Sequence, residues 1–235
     1  MESPSYITKA NGVPILSRQQ IDDIGETYVR AFQSDILVDS APLDIDAFAE
    51  MFLGLNVDYK YLSHNGVYLG MMVFKDTNKI PIFDPETNRA EYIEECANTI
   101  MIDSRLLEAN QEHRYRYTMG HECGHAVFHS AVYANSGGIP CRLEKRSTGR
   151  TNTHEWLDDD WMEWHANSFS AATLMPKSSV EICVERQGGI PTNVLKLFNL
   201  IYCISETFNV SEEAAKHRLK TLGYLEYLLQ QKPSA

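Results

Sequence analysis

The segment Tyr117-Thr-Met-Gly-His-Glu-Cys-Gly-His-Ala-Val-Phe-His129 constrains this chain more than any other. Its spacing predicts a helix over roughly residues 112–131. Gly120 and Gly124 would each weaken that helix by about 1 kcal/mol relative to alanine. They imply a neighbour that must come close to the helix backbone, and a packing sheet is the expected one. His121 and His125 lie one turn apart on one face, where both imidazoles can reach one ion. Glu122 turns about 100° away from His121. From there its carboxylate can take a proton from an attacking water without ligating the metal. This is the physical content of the H-E-x-x-H pattern. His129 continues the stripe, but a straight helix rises about 12 Å over eight residues, too far for three ligands to close on one ion. It is expected to be packed or hydrogen-bonded near the helix end. Cys123 faces away from the histidine pair and reads as a small buried apolar residue.

A catalytic zinc needs a third protein ligand and an open fourth position. His154, Glu155, Asp158, Asp159, Asp160, Glu163 and His165 all follow the histidine pair. Glu163 has a rival reading, because Asp160-Trp-Met-Glu163 has the form of a capping box at a helix start. Residue chemistry alone leaves this choice open.

The rest of the chain narrows the class of function. It has 235 residues, 43% apolar and 23% charged, and a formal net charge of −11. That length suits one large domain with a real core. So acidic a chain has no general attraction to a phosphate backbone, so direct nucleic-acid binding is not expected, and nothing excludes a basic protein partner. The five cysteines, at 96, 123, 141, 183 and 203, form no C-x-x-C pair. A disulfide framework or cysteine zinc finger is therefore not expected. The first twenty residues have neither a basic start nor an apolar core of the signal-peptide kind. No apolar run reaches the roughly 18 residues that span a bilayer. The expected location is the cytoplasm, with no membrane partner.

Residues 1–16 read as a flexible N-terminal arm, and 17–235 as a single domain. Ser17-Arg-Gln-Gln20 has the form of a capping box opening an amphipathic helix to about residue 33. A second helix is expected from Pro42 to about Leu53, ended by Gly54. Strands are expected at 57–62, 67–74, 79–84 and 99–103, with Asn65-Gly66 as a turn between the first two. Pro81 marks an edge strand, because proline cannot donate to the ladder. A sheet with an open edge can accept an extended peptide as an added strand. The polar segment 133–160, with Gly137-Gly138-Ile-Pro140 and Asp158-Asp-Asp160, reads as a long loop. Helices are expected at 161–175, 176–187, 192–208 and 211–221, with Pro191 and Ser211 as start signals.

Two stretches together resemble a known family. Arg116-Tyr-Thr-Met-Gly-His-Glu-Cys-Gly-His125 and Glu163-Trp-His-Ala-Asn-Ser-Phe-Ser-Ala-Ala-Thr-Leu-Met-Pro176 are similar to the two motifs of the ImmA/IrrE family of bacterial zinc metallopeptidases. Asn98-Thr-Ile-Met-Ile-Asp103 fits upstream of them. Phe208-Asn-Val-Ser211, Arg218-Leu219 and Leu222-Gly223 fit downstream. The resemblance runs from about residue 18 to about 224. It implies an α+β, zincin-like (gluzincin-like) fold, with a small twisted sheet on the H-E-x-x-H helix and a helical C-terminal region. The sheet would occupy about 55–104, the zinc-site helices about 112–175 and the C-terminal helices about 176–229. It also implies that His121, His125 and Glu163 bind Zn2+, with Mn2+ a chemical alternative, and that Glu122 is the catalytic base. Asn167, one turn after Glu163, would orient a ligand. Gly120, Cys123 and Ser170 depart from the family's usual alanine, leucine and alanine but leave the ligands untouched, and the 133–160 segment is long for the family.

By this resemblance the chain is a bacterial endopeptidase that cleaves a helix-turn-helix transcriptional repressor in a stress or mobile-element circuit. The alternative is a non-catalytic, peptidase-like regulator that binds a transcription factor, although such a protein has no need of Glu122. A third class, a hydrolase of small molecules, is left open by fold-level reasoning. No residue is assigned to oxyanion stabilisation. His154, His165 and Tyr133 are nearby in sequence.

Overall fold

Ser17 opens the first helix. In the computed structural model, which describes residues 5–135, 141–145 and 156–225, its hydroxyl accepts from the Gln20 amide at 3.3 Å. The Gln20 side chain accepts from the Ser17 amide at 2.8 Å. This reciprocal cap satisfies two of the donors a helix start leaves open. Helix α1 (Arg18–Gln33) follows.

The described chain divides into two compact units. One comprises the residues up to Ile21 and those from Ile45 to Ser170, and the other 22–44 and those from 171 onward. In the first unit, a helical turn α3 (Ile45–Ala47) runs into a π turn at Phe48–Phe52, and Gly54, at φ +68°, lets the chain leave it. The strands are β1 (Asn56–Lys60), β2 (Tyr68–Val73), β3 (Thr77–Asp84), β4 (Arg89–Glu95), β5 (Thr99–Asp103) and β6 (Cys141–Lys145). They form a four-stranded mixed sheet in the order β1-β5-β2-β6 and a separate β3-β4 ribbon. β1 runs parallel to β5, and the other ladders are antiparallel.

Two expectations change here and one holds. β5 lies between β1 and β2, so Asn65-Gly66 does not close a hairpin. Pro81 lies in the two-stranded ribbon, opposite Tyr92, where every strand is an edge. The segment read as a long loop contributes β6, the edge of the main sheet beside β2. Its sequence, Cys-Arg-Leu-Glu-Lys, has the short, charged character of an edge strand. β4 was not anticipated. Its sequence, Arg-Ala-Glu-Tyr-Ile-Glu-Glu, is largely exposed and lacks the apolar alternation of a half-buried strand.

The sheet has two covered faces. Met71 and Val73 of β2 and Met101 of β5 pack with Leu62 and with Ile80 of β3. On the opposite face, Gly70 lies against helix α4 (Glu112–Asn135). Because side chains alternate along a strand, Met72, Ile100 and Ile102, all fully buried, share that face. Residues 5–16, expected to be a loose arm, lie against the same unit. Thr8 pairs with Pro14, Val13 and Leu16 are buried, and Tyr6 meets Phe128 edge to face at 5.9 Å. Helix α5 (Asp158–Leu174) carries the second motif.

The second unit is helical, with α2 (Ile36–Asp39), α6 (Lys177–Arg186), α7 (Val194–Phe208) and α8 (Glu212–Thr221). Asn193, rather than Pro191, caps α7, accepting from the Lys196 amide at 2.9 Å. Ser211 caps α8. Arg218 is buried and donates to Asp22 at 2.6 Å and to the Met175 carbonyl at 2.9 Å. No described helix is long and apolar enough to cross a membrane.

Candidate metal centre

Helices α4 and α5 bring the candidate ligands together, and their closeness depends on the two glycines of the opening segment. A Cβ on Gly124 would fall 2.8 Å from Ala166 Cα, and one on Gly120 would fall 2.7 Å from Ser170 Oγ. The close neighbour is therefore α5, not the sheet as the sequence led us to expect. A helix backbone can approach another helix this tightly only where side chains are missing. Ser170 also donates to the Tyr117 carbonyl at 2.9 Å, tying α5 to α4. The approach to the sheet is made by a glycine on the strand instead. A Cβ on Gly70 would stand 2.5 Å from Glu122 Oε1 and 2.8 Å from Thr118 Cγ2. The β2–β6 register also slips between Tyr68 and Met71, around this residue. Sequence reasoning missed Gly70, although a lone glycine inside a strand pattern is a signal of close approach.

His121, His125 and Glu163 converge. The two histidine Nε2 atoms are 3.0 Å apart, and the Glu163 carboxylate oxygens lie 3.4 Å from His121 Nε2 and 3.5 Å from His125 Nε2. A tetrahedral ion with bonds of about 2.0–2.1 Å separates its ligand atoms by about 3.3 Å. The triangle thus has the size of one face of such a site, and the His-His-Glu set offers one donor atom each. The outer nitrogen of His121 agrees. His121 Nδ1 is 3.1 Å from Asn167 Oδ1. A carboxamide oxygen can only accept, so Nδ1 carries the proton and Nε2 keeps its lone pair for an ion. Asn167 is itself held by the Tyr117 hydroxyl, 3.2 Å from the same oxygen. With His125 in the same tautomer, two bare Nε2 lone pairs at 3.0 Å would repel, and a cation between them would satisfy both.

Glu163 is not a helix cap. α5 begins at Asp158, earlier than expected, and Asp160 accepts from the Leu157 amide at 2.9 Å, filling the capping role. Glu163 falls in the next turn. Burial pushes its carboxyl up, but hydrogen bonds and charge from His121 and His125 outweigh this and hold it well below the ordinary range. Of the other candidates, Asp158 is bound to Lys9 and to Asn11. Buried His165 lies 3.4 Å from His129, and its imidazole is pushed down to about 4 by burial, helped by the Lys9 charge. His154 and Glu155 fall outside the described residues. Tyr133 stacks on Phe74 at 4.3 Å. Glu122 is fully buried beside the histidines. Cys123 is buried too, its thiol pushed up by burial and by the Glu122 charge, which suits a packed thiol rather than a ligand. His129 is buried at hydrogen-bond distance from His125, not at the ligand triangle.

A sequence profile of the Peptidase_M78 family, described as the IrrE N-terminal-like domain, matches residues 68–220. The chain belongs to the IrrE N-terminal-like family. The match takes in β2 with Gly70, all of α4 and α5, and the helices to α8. For this family member, comparison with curated proteins found no match. The family points to a peptidase, and the His-His-Glu triangle fits a metallopeptidase of that kind.

Proposed function

We propose that the chain is a zinc-dependent endopeptidase. The observation that carries this reading is the ligand triangle of His121, His125 and Glu163, with the buried Glu122 beside it. A zinc ion held there would polarise a peptide carbonyl and lower the pKa of the attacking water. The protein's own groups supply the rest. Glu122 takes the proton of that water and passes it to the leaving amine. Gly70 leaves room for this carboxylate against β2. Asn167 and Tyr117 hold His121 in the ligating tautomer.

The substrate we infer is a DNA-binding repressor of the helix-turn-helix class, in keeping with the resemblance to ImmA/IrrE proteins. The charge of −11 supports a basic partner of this sort. Such a substrate places the reaction in the bacterial cytoplasm.

The first test is calorimetric zinc titration of the metal-stripped chain and of Glu163→Ala. One zinc per wild-type chain, with binding at least about ten-fold weaker in the variant, is expected. No zinc uptake by the wild type would remove the centre, and equal binding by both would remove Glu163 from it. The second test incubates the zinc-loaded chain with helix-turn-helix repressors and reads fragments by mass spectrometry. Glu122→Gln should retain zinc and lose cleavage. Cleavage that survives in this variant would overturn the role of Glu122.

A further inference from the structure

His125 and His129 face each other through their Nδ1 atoms at 2.9 Å. The far nitrogen of His129, Nε2, lies 3.4 Å from Nδ1 of His165. All three rings are buried, none more than 1% exposed. Nε2 of His165 has no hydrogen-bond partner among the described residues. Three imidazoles in a row are a costly load for a protein interior. The chemistry proposed above uses only the first.

Counting protons gives the row a direction. A neutral imidazole has one N–H and one bare nitrogen. The Nδ1–Nδ1 contact therefore holds a single proton, on His125 or on His129. An ion on His125 Nε2 needs that lone pair, so the His125 proton must sit on Nδ1 and be donated to His129. His129 then keeps its own proton on Nε2, aimed at His165 Nδ1. His165 in turn keeps its proton on Nε2. One ion thus sets three tautomers. His121 differs, because Asn167 fixes its tautomer with or without an ion.

We propose that His129, backed by His165, is a positioning residue for His125. It accepts the His125 Nδ1–H, holds the ring in its ligating orientation, and has its own tautomer set when the metal binds. This inference rests on the metal-centre reading and adds a residue pair to it. The row extends the support of the ligands along α4 and back onto α5, the two helices that Gly120 and Gly124 bring together.

The test is a chelator-competition titration of zinc on the full chain, comparing wild type, His129→Asn and His129→Leu. Asparagine places its oxygen near the position of Nδ1 and keeps an acceptor. Leucine keeps the bulk and loses it. His129→Leu should weaken zinc binding by about ten-fold or more, while His129→Asn should stay within about three-fold of wild type. A packing role would give the opposite order. Zinc affinity unchanged in His129→Leu, or equally weak in both variants, would overturn the proposal. Nitrogen-15 NMR of the wild type gives a readout that needs no variant. In the zinc form, His129 should show a bare Nδ1 and a protonated Nε2, and the reverse tautomer would overturn the proposal. A wild type that takes up no zinc removes the metal centre and this inference together. Zinc uptake that is indifferent to His129 removes this inference alone.

Discussion

The Glu122 carboxylate fits against the sheet because β2 carries no side chain at residue 70. Gly70→Ala puts a carbon where Glu122 Oε1 and Thr118 Cγ2 now stand, at 2.5 and 2.8 Å. Glu122 must move, and the ligands need not. We expect Gly70→Ala to bind zinc with wild-type affinity and to lose about ten-fold or more in kcat, since about 1 Å of misplacement is enough for such losses. Overpacking should also cost about 1–3 kcal/mol of stability by urea unfolding. A variant with normal kcat would show that Glu122 does not need its present position. The contrast with Glu163→Ala is diagnostic, because that change acts on metal affinity first.

At the scale of elements, the centre depends on how closely α4 and α5 lie. Gly124→Ala drives a carbon into the Ala166 backbone, which cannot swing aside, whereas Gly120→Ala meets mainly the Ser170 hydroxyl. Alanine also returns about 1 kcal/mol of helix propensity at either site. We therefore expect Gly124→Ala to be the worse of the two, by roughly 1–3 kcal/mol in urea unfolding, and to weaken zinc binding as Glu163 is pushed from the histidine pair. Equal effects of the two would argue against a rigid contact at Ala166. These glycines also show how far the sequence could be read. Their cost in a helix announced a close neighbour, but a helical period does not say which element that neighbour is. The His121–His125 pair was legible because i, i+4 spacing alone places both on one face. Glu163 was not legible from residue chemistry alone, because an acid at a helix start satisfies a cap equally well, and only the family resemblance named it. Asp160 taking the capping role, and the Glu163 carboxylate lying against both histidines, separate the two readings. β4 escaped notice because a largely exposed strand needs no apolar alternation. The row beyond His125 depends on α5 returning beside α4, a contact between residues 36 positions apart.

At the scale of the whole molecule, charge and a buried ion pair matter most. With a net charge of −11, electrostatic steering of a basic repressor should make kcat/KM fall as salt rises, while kcat stays level. A salt-independent kcat/KM would argue against a basic substrate. In the helical unit, Asp22→Ala would leave Arg218 buried without its carboxylate, and should cost about 3–5 kcal/mol in urea unfolding. A loss below about 1 kcal/mol would place that pair effectively in solvent. The aromatic residues at the start of α5 have a practical consequence. The chain has three tryptophans, and Trp156, Trp161 and Trp164 form one cluster with ring centroids 4.8–6.5 Å apart. Trp164 flanks Glu163 in sequence and its ring lies 5.4 Å from the His165 ring. The protein's tryptophan fluorescence, excited apart from its twelve tyrosines, thus comes from one place at the start of α5. Emission reports that neighbourhood and is silent on the α6–α8 helices, so a titration or a melt followed by this light reads a local event from a built-in lamp.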